Sequence, residues 1–201
     1  RMVYGILDIH RSHRIENPDP KRDGEAGRPH ASTLCHLDRS LEWSARSMTE
    51  MFGRPHAPPA ERKDGAPVEL ADGLASLLAG DALQRAAYAV AMGRPASDGE
   101  ARPGPVAPRD KAWMRAALAL TVGDAYPSVR WLARRSLLAL EREHPIGMSR
   151  RLADWDHMDG SVANRGSMVE ALRGRVWPPG PAGRVPPQDR FLLGGASNEE
   201  R

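Results

Sequence analysis

Five consecutive residues, Ser32-Thr33-Leu34-Cys35-His36, have the spacing of a known haem-attachment motif with one member replaced. In the intact Cys-x-x-Cys-His motif, two thiols add across the vinyl groups of a haem, and the histidine that follows binds the iron. Here Cys35 and His36 keep the second thiol and the iron ligand, whereas Ser32 stands where the first thiol would be. Because a serine hydroxyl does not form the thioether, the pattern predicts one covalent link to a haem, through Cys35.

Other chemistry is compatible with the same part of the chain. Cys35 and His36 could act as a nucleophile and its base, but adjacent side chains rarely point at one another and no third orienting group is evident. Asp8, His10 and His13 could form a small site for zinc or copper, since imidazole and carboxylate suit both metals. Solvated histidines, and a cysteine packed as a small side chain, are the simpler alternatives.

Stripes of apolar residues with helical spacing begin directly after the motif. Leu41, Ala45, Met48 and Phe52 share one face and predict a helix that ends at Gly53, where a left-handed cap suits glycine. Further stripes predict helices at about 70–78, 83–90, 113–120, 129–140 and 161–176, with Asp81, Asp110 and Asp124 as N-terminal caps and with Arg130, Arg134 and Arg135 facing water.

Segments rich in proline and glycine separate these stripes. We expect a loop at 17–29, a linker at 56–67, a second loop at 94–109 and a loosely held tail after Trp177. Only Val3 to Ile9 is expected to be a short strand or extended segment. The five tryptophans are most simply anchors of helix packing.

Two helix pairs repeat in outline. A leucine-rich helix followed by Gly80, Asp81 and Arg85 is echoed about forty residues later by Gly123-Asp124 and Arg130. This period is that of HEAT-like units, which bury their apolar faces by stacking on neighbours. The predicted fold is therefore mainly α, with an irregular haem-motif segment followed by HEAT-like antiparallel helix pairs. The predicted domains are 1–56 (motif segment and first helix), 57–177 (helical repeats) and 178–201 (flexible tail).

The order of these pieces resembles the C-terminal region of bacterial multihaem c-type cytochromes that end in HEAT-like repeats. The resemblance covers roughly residues 4 to 177, and Ser32 to His36 stand where the last haem motif of the family stands. The family has many complete Cys-x-x-Cys-His motifs, whereas this chain has none. The other matching pieces are Asp8 to Ile15, Asp38-Arg39-Ser40, Trp43-Ser44-Ala45, Leu78 to Asp81, Gln84-Arg85-Ala86, Asp124 to Leu137 and Leu152 to Asp156.

The resemblance implies one haem c, bound through a single thioether at Cys35 with His36 as the proximal iron ligand. The distal ligand would be His13, with His10 as the alternative. Two histidine ligands make the iron six-coordinate and suited to electron transfer rather than substrate chemistry. Implied partners are other haem-bearing domains or redox proteins, in the bacterial periplasm or at the extracytoplasmic surface.

The alternative is a haem-free HEAT-like scaffold that binds proteins along its helices, with Ser32 marking the loss of the cofactor. The composition does not separate these two functions, but it disfavours others. The formal charge is +3 with scattered basic residues, so a nucleic-acid surface is not expected. We expect no membrane span, because no stretch of about 20 apolar residues occurs. No n-region followed by an h-region opens the sequence, which says nothing about its compartment, since the chain can be a fragment or a processed product. The usual catalytic motifs are absent from the sequence, so no independent enzymatic activity is expected.

Overall fold

The computed structural model describes residues 2–4, 9–11, 17–94, 112–143 and 145–176, the first two segments as backbone only. Within these ranges the protein is mainly α-helical, which confirms the predicted class. The positions of His13, Asp110, most of the 94–109 loop and the 178–201 tail lie outside the described residues. The strands are β1 (Met2–Tyr4) and β2 (Ile9–Arg11), and the helices are α1 (Pro20–Glu25), α2 (Leu41–Phe52), α3 (Asp72–Ala79), α4 (Ala82–Met92), α5 (Ala112–Thr121), α6 (Pro127–Glu143), α7 (Ser149–Asp154) and α8 (Val162–Val176).

The two strands pair in antiparallel fashion, with Tyr4 opposite Ile9 and Met2 opposite Arg11. The extended segment expected from Val3 to Ile9 thus overlaps parts of two strands. His10 lies in β2 opposite Val3.

The segment 17–29 was predicted to be a loop, but it contains helix α1. The prediction was therefore wrong for residues 20–25. The carboxylate of Asp19 accepts a hydrogen bond from the backbone N–H of Arg22, which caps the helix. Pro20 occupies the first helical position, where its missing N–H leaves no bond unmade. The prolines were interpreted as helix breakers, although one of them starts a helix.

Helix α2 follows the motif closely and has the predicted end. The hydroxyl of Ser40 accepts a hydrogen bond from the backbone N–H of Trp43 at the N-terminus. At the other end Gly53 takes a left-handed conformation, with φ of 65°. The buried face carries Leu41, Ala45 and Met48, as predicted, while Phe52 is exposed. The motif therefore lies four residues before a well-capped helix.

The apolar core lies among helices α3, α4, α5, α6 and α8. Helix α3 contacts α4 and α5, helix α6 contacts α4 and α5, and α8 packs on α5. The central helix α5 contributes Ala116, Ala117 and Leu118, all fully buried. Small side chains on this face let several helices approach it closely. Helix α2 packs on α1, at the motif side of the molecule.

The first turns of three helices share one arrangement of arginine. In each case the guanidinium donates a hydrogen bond to the backbone carbonyl of the residue five positions earlier, which lies in the turn before the helix. The predicted cap at Asp81 is also present, as a capping box with Gln84. The arginine contacts are Arg85 with Gly80, Arg130 with Ala125, and Arg165 with Gly160.

The prediction that Arg130 faces water was wrong, because its side chain is fully buried. Among the described residues, the partners of its guanidinium are backbone carbonyls, which compensate a buried cation without a carboxylate. Arg134 also turns back to the protein and donates to the carbonyls of Leu152 and Ala153. Arg135 is exposed as predicted and stacks on Trp131. The carbonyls bound by Arg130 belong to Asp124, Ala125, His157 and Met158.

Candidate functional site

The haem-like motif forms a single hydrogen-bonded turn. The backbone N–H of His36 donates to the carbonyl of Ser32 at 2.9 Å, and that of Cys35 donates to the same carbonyl at 3.2 Å. Residues three and four apart on such a turn lie on one side of it. Ser32, Cys35 and His36 therefore belong to one hydrogen-bonded turn of the backbone.

Both of the predicted chemical groups reach the surface. Cys35 is a free, exposed cysteine, and His36 is half-buried. The imidazole of His36 lies beside the indole of Trp43, with 5.0 Å between ring centroids and 53° between ring planes. The guanidinium carbon of Arg39 lies 5.6 Å from the centroid of the same indole. The thiol is thus accessible, while the imidazole has an aromatic neighbour on one side.

The turn is held against the N-terminus of helix α3. Thr33 is fully buried, and its hydroxyl donates to a carboxylate oxygen of Asp72. The backbone N–H of Asp72 donates in turn to the carbonyl of Arg39 at 2.9 Å. One residue of α3 therefore fixes the chain on both sides of His36.

A close backbone approach completes this attachment. A Cβ added to Gly73 would lie 2.6 Å from the carbonyl oxygen of Leu37, closer than packed atoms tolerate. Only glycine lets the first turn of α3 meet the chain directly after the motif at this distance.

Asp72 also belongs to a buried charge cluster. Arg62 donates to Asp72 at 2.8 Å and makes two bonds to Asp64, at 2.9 and 2.6 Å. Burial disfavours the charged guanidinium, but the bonds and charges of the two aspartates outweigh it and raise the pKa of Arg62. Burial likewise opposes ionisation of Asp64, yet Arg62 and the backbone N–H of Ala66 lower its pKa. Both shifts favour the charged forms of Arg62 and Asp64, which supports their ion pair.

His30 is a fully buried histidine at the start of the motif turn. Its Nδ1 accepts a hydrogen bond from the backbone N–H of Ser32, while Nε2 has no partner in the described part of the chain. Burial lowers the pKa of His30, and the charges of Asp23, Asp72 and Asp19 oppose this effect. The imidazole is therefore neutral at pH 7, with its proton on Nε2.

The structure brings together only part of the predicted haem site. Cys35 and His36 share the turn, whereas His13 lies outside the described residues and His10 is described as backbone only. Asp8 of the alternative metal site also lies outside them. Sequence reasoning missed Asp72 and His30, because their roles depend on contacts with distant residues. The apolar stripe that predicts α3 starts at Leu70. It therefore gave no indication of a role for Asp72, the acidic residue in the first turn of α3.

A cleft of about 260 Å³ lies beside Arg62. Its charged side chains are largely engaged within the protein. Arg28 pairs with Asp23 at 3.0 Å, Arg62 pairs with Asp64, and Asp81 caps helix α4. The cleft thus offers a less specific chemistry than the motif turn.

No model of a known protein family matches the chain, and no curated protein or solved structure matches it either. Among the described residues, no three or more histidine, cysteine, aspartate or glutamate side chains are grouped to hold a metal ion. In the same residues, no helix has both the length and the apolar character to cross a bilayer.

Proposed function

We propose that this chain is an electron-transfer segment of a c-type cytochrome that binds one haem through Cys35 and His36. The observation that carries the proposal is the turn from Ser32 to His36. It presents an exposed thiol and an imidazole one residue apart, and Asp72 anchors it to the helical body. Asp72 gives the turn a defined shape, which supports a role that depends on where Cys35 and His36 are held.

The residues present fit a haem attached by one bond. The thiol of Cys35 would add across one vinyl group, so that a sulfur–carbon bond forms and the thiol hydrogen passes to the other vinyl carbon. No oxidant is needed for this addition. An imidazole nitrogen of His36 would bind the iron, while the hydroxyl of Ser32 would form no bond to the second vinyl group. When bound, the haem supplies a one-electron redox centre.

The anchoring cluster supports a positional role for the turn. A buried ion pair contributes little net stability compared with apolar residues, because desolvation offsets its attraction, but it can specify one conformation. Here Arg62 and Asp72 are 4% and 2% exposed, and the conformation that they specify is that of the motif turn. A fixed turn keeps an iron ligand in one place through changes of redox state.

The remaining parts of the proposal concern ligand, partners and repeats. His13, or else His10, would be the distal ligand, and other haem-bearing domains or redox proteins would exchange electrons with the haem in the periplasm or at the extracytoplasmic surface.

The contacts of α3 with α4, of α5 with α6, and of α4 with α6 support a stack of HEAT-like pairs. The recurrent arginine back-contact supports the same repeat.

A pyridine haemochrome spectrum, together with a measurement of the intact protein mass, tests the proposal. The full chain is expressed in a bacterial periplasm that contains the haem c maturation machinery. We expect a mass increase of one haem and a pyridine haemochrome band between those of two-thioether haem c and unattached haem. Cys35→Ala should abolish the covalent mass increase, and Ser32→Cys should move the band to the two-thioether position.

His36→Ala should abolish the low-spin spectrum, whereas His56→Ala should leave it unchanged. His56 is a matched control because it is also half-buried beside an aromatic ring, with 6.2 Å between its centroid and that of Phe52. An apoprotein mass for the folded wild-type chain would overturn the haem proposal.

One observation favours a haem-free scaffold as the second candidate. Four large apolar side chains are exposed near the turns that Arg130 bridges: Tyr126, Trp131, Met158 and Val162 are 54%, 43%, 63% and 77% exposed. Exposed aromatic residues are enriched where proteins bind partners. A folded, haem-free chain would leave this protein-binding role as the working function.

A further inference from the structure

We infer that Trp43 is a positioning residue that holds the imidazole of His36 in one orientation for the iron; this inference rests on the proposed haem function. The ring centroids are 5.0 Å apart and the planes are tilted by 53°. Aromatic rings at this separation attract one another in tilted arrangements. The indole therefore favours one rotation of the imidazole over others.

The backbone that carries the indole of Trp43 is held by the N-terminal cap of α2. Trp43 is in the first turn of α2, where its backbone N–H donates to the hydroxyl of Ser40 at 3.1 Å. A capped first turn leaves little freedom to the backbone that carries the side chain. The position of the indole is thus set by the helix rather than by the motif that it contacts.

Arg39 connects the indole to the motif from another direction. Its backbone N–H donates to the carbonyl of His36 at 3.0 Å, and its guanidinium lies over the indole of Trp43. The guanidinium also pairs with Asp38 at 3.2 Å. Arg39 therefore contacts both the backbone of His36 and the indole of Trp43 beside it.

Orientation matters because the plane of an axial imidazole affects the electronic structure of the iron. Groups around a metal ligand fix its rotation and tune the metal that it binds. Without the indole, the ligand would adopt several rotations, and the low-spin electron paramagnetic resonance (EPR) signal of the ferric haem would broaden or split. The proposed positioning role thus has a spectroscopic consequence that loss of helix packing alone does not produce.

The test compares Trp43→Leu and Trp43→Phe with the wild-type chain in haem-loaded protein. We expect the leucine variant to broaden or shift the EPR signal and the phenylalanine variant to retain most of the wild-type signal. Trp131→Leu is the matched control, since Trp131 is also a partly exposed helical tryptophan stacked by an arginine, at 5.8 Å. Circular dichroism checks that each variant keeps its helices.

A second readout uses haem-free protein. The ring current of Trp43 should shift the proton resonances of the His36 imidazole, and Trp43→Leu should abolish that shift in the nuclear magnetic resonance spectrum. Unchanged His36 resonances, or an unchanged EPR signal in haem-loaded Trp43→Leu, overturn the inference alone. A wild-type chain that attaches no haem overturns the proposed function and, with it, the role of Trp43 toward iron.

Discussion

The motif region and the helical body each bury an arginine, and they compensate its charge in different ways. Arg62 is paired with the carboxylates of Asp64 and Asp72, so its partners are ionised side chains. Among the described residues, Arg130 is bound by backbone carbonyls, from the turns before α6 and α8. The first arrangement depends on the identity of two residues. The second depends on the path of the backbone, which other residues can also produce.

The difference shows where the sequence constrains the structure most strongly. A carboxylate partner left alone in the interior retains an uncompensated charge, whereas carbonyls near the surface can bind water instead. His157 is half-buried and Met158 is exposed, so water can approach their carbonyls. The motif side should therefore be the more sensitive of the two to substitution.

The largest effect is expected for Arg62→Met. This change leaves Asp72 buried without its counter-charge and should lower the free energy of unfolding by about 3–5 kcal/mol. Adding Asp72→Asn should restore part of the loss, since the asparagine is neutral and can still accept from Thr33. Urea unfolding followed by circular dichroism measures both. A double variant no more stable than Arg62→Met would contradict the charge explanation.

Arg130→Met should cost less, about 2–4 kcal/mol, because some of the four carbonyls become hydrated. The same urea experiment measures it. Arg150→Met is the control: its side chain is 96% exposed, and it should change stability by no more than about 0.5 kcal/mol. If Arg130→Met destabilised the protein more than Arg62→Met, the comparison between the two sites would be reversed.

Gly73→Ala tests the close contact between α3 and the motif segment. Its Cβ would collide with the carbonyl of Leu37, and overpacking of this kind costs about 1–3 kcal/mol. Gly166→Ala in α8 is the matched control, since nothing lies within 4 Å of its added Cβ. There alanine should stabilise the helix by roughly 0.5–1 kcal/mol. Opposite signs in thermal unfolding would confirm the contact, and equal signs would exclude it.

The smallest effect concerns the pH dependence of stability. Because burial lowers the pKa of His30 in the folded protein, the unfolded chain binds its proton first as the pH falls. The stability linked to His30 is complete above its unfolded pKa of about 6.5 and is lost as the pH falls from there through the folded pKa. His30→Gln should flatten the stability profile in this window. An equally steep profile would assign the loss to other groups.

The sequence was informative about elements and much less about the groups that hold the motif. Helices α2 and α4 follow from apolar stripes with Gly53 and Asp81 at their ends, because caps and stripes are local features. The inward turn of Arg130 was missed because its carbonyl partners lie up to 28 residues away. Helix α7 was missed because six residues carry too little periodicity.

In the candidate site, too, local features could be predicted from the sequence and tertiary contacts could not. The turn that carries Cys35 and His36 could be located from the motif alone. The attachment of Thr33 to Asp72 could not, because it joins residues 39 positions apart through a tertiary contact. The contact between His36 and Trp43 was not predicted either, because the tryptophans were expected to be anchors of helix packing.

The 39-residue separation between Thr33 and Asp72 also has a kinetic consequence. The chain is synthesised from its N-terminus at about 5–20 residues per second, so the motif turn precedes its anchor by roughly 2–8 s. During that interval the segment around Cys35 has neither α3 nor the Arg62 cluster to dock against. Until α3 has been synthesised, the turn that carries Cys35 therefore lacks the contact that fixes its shape.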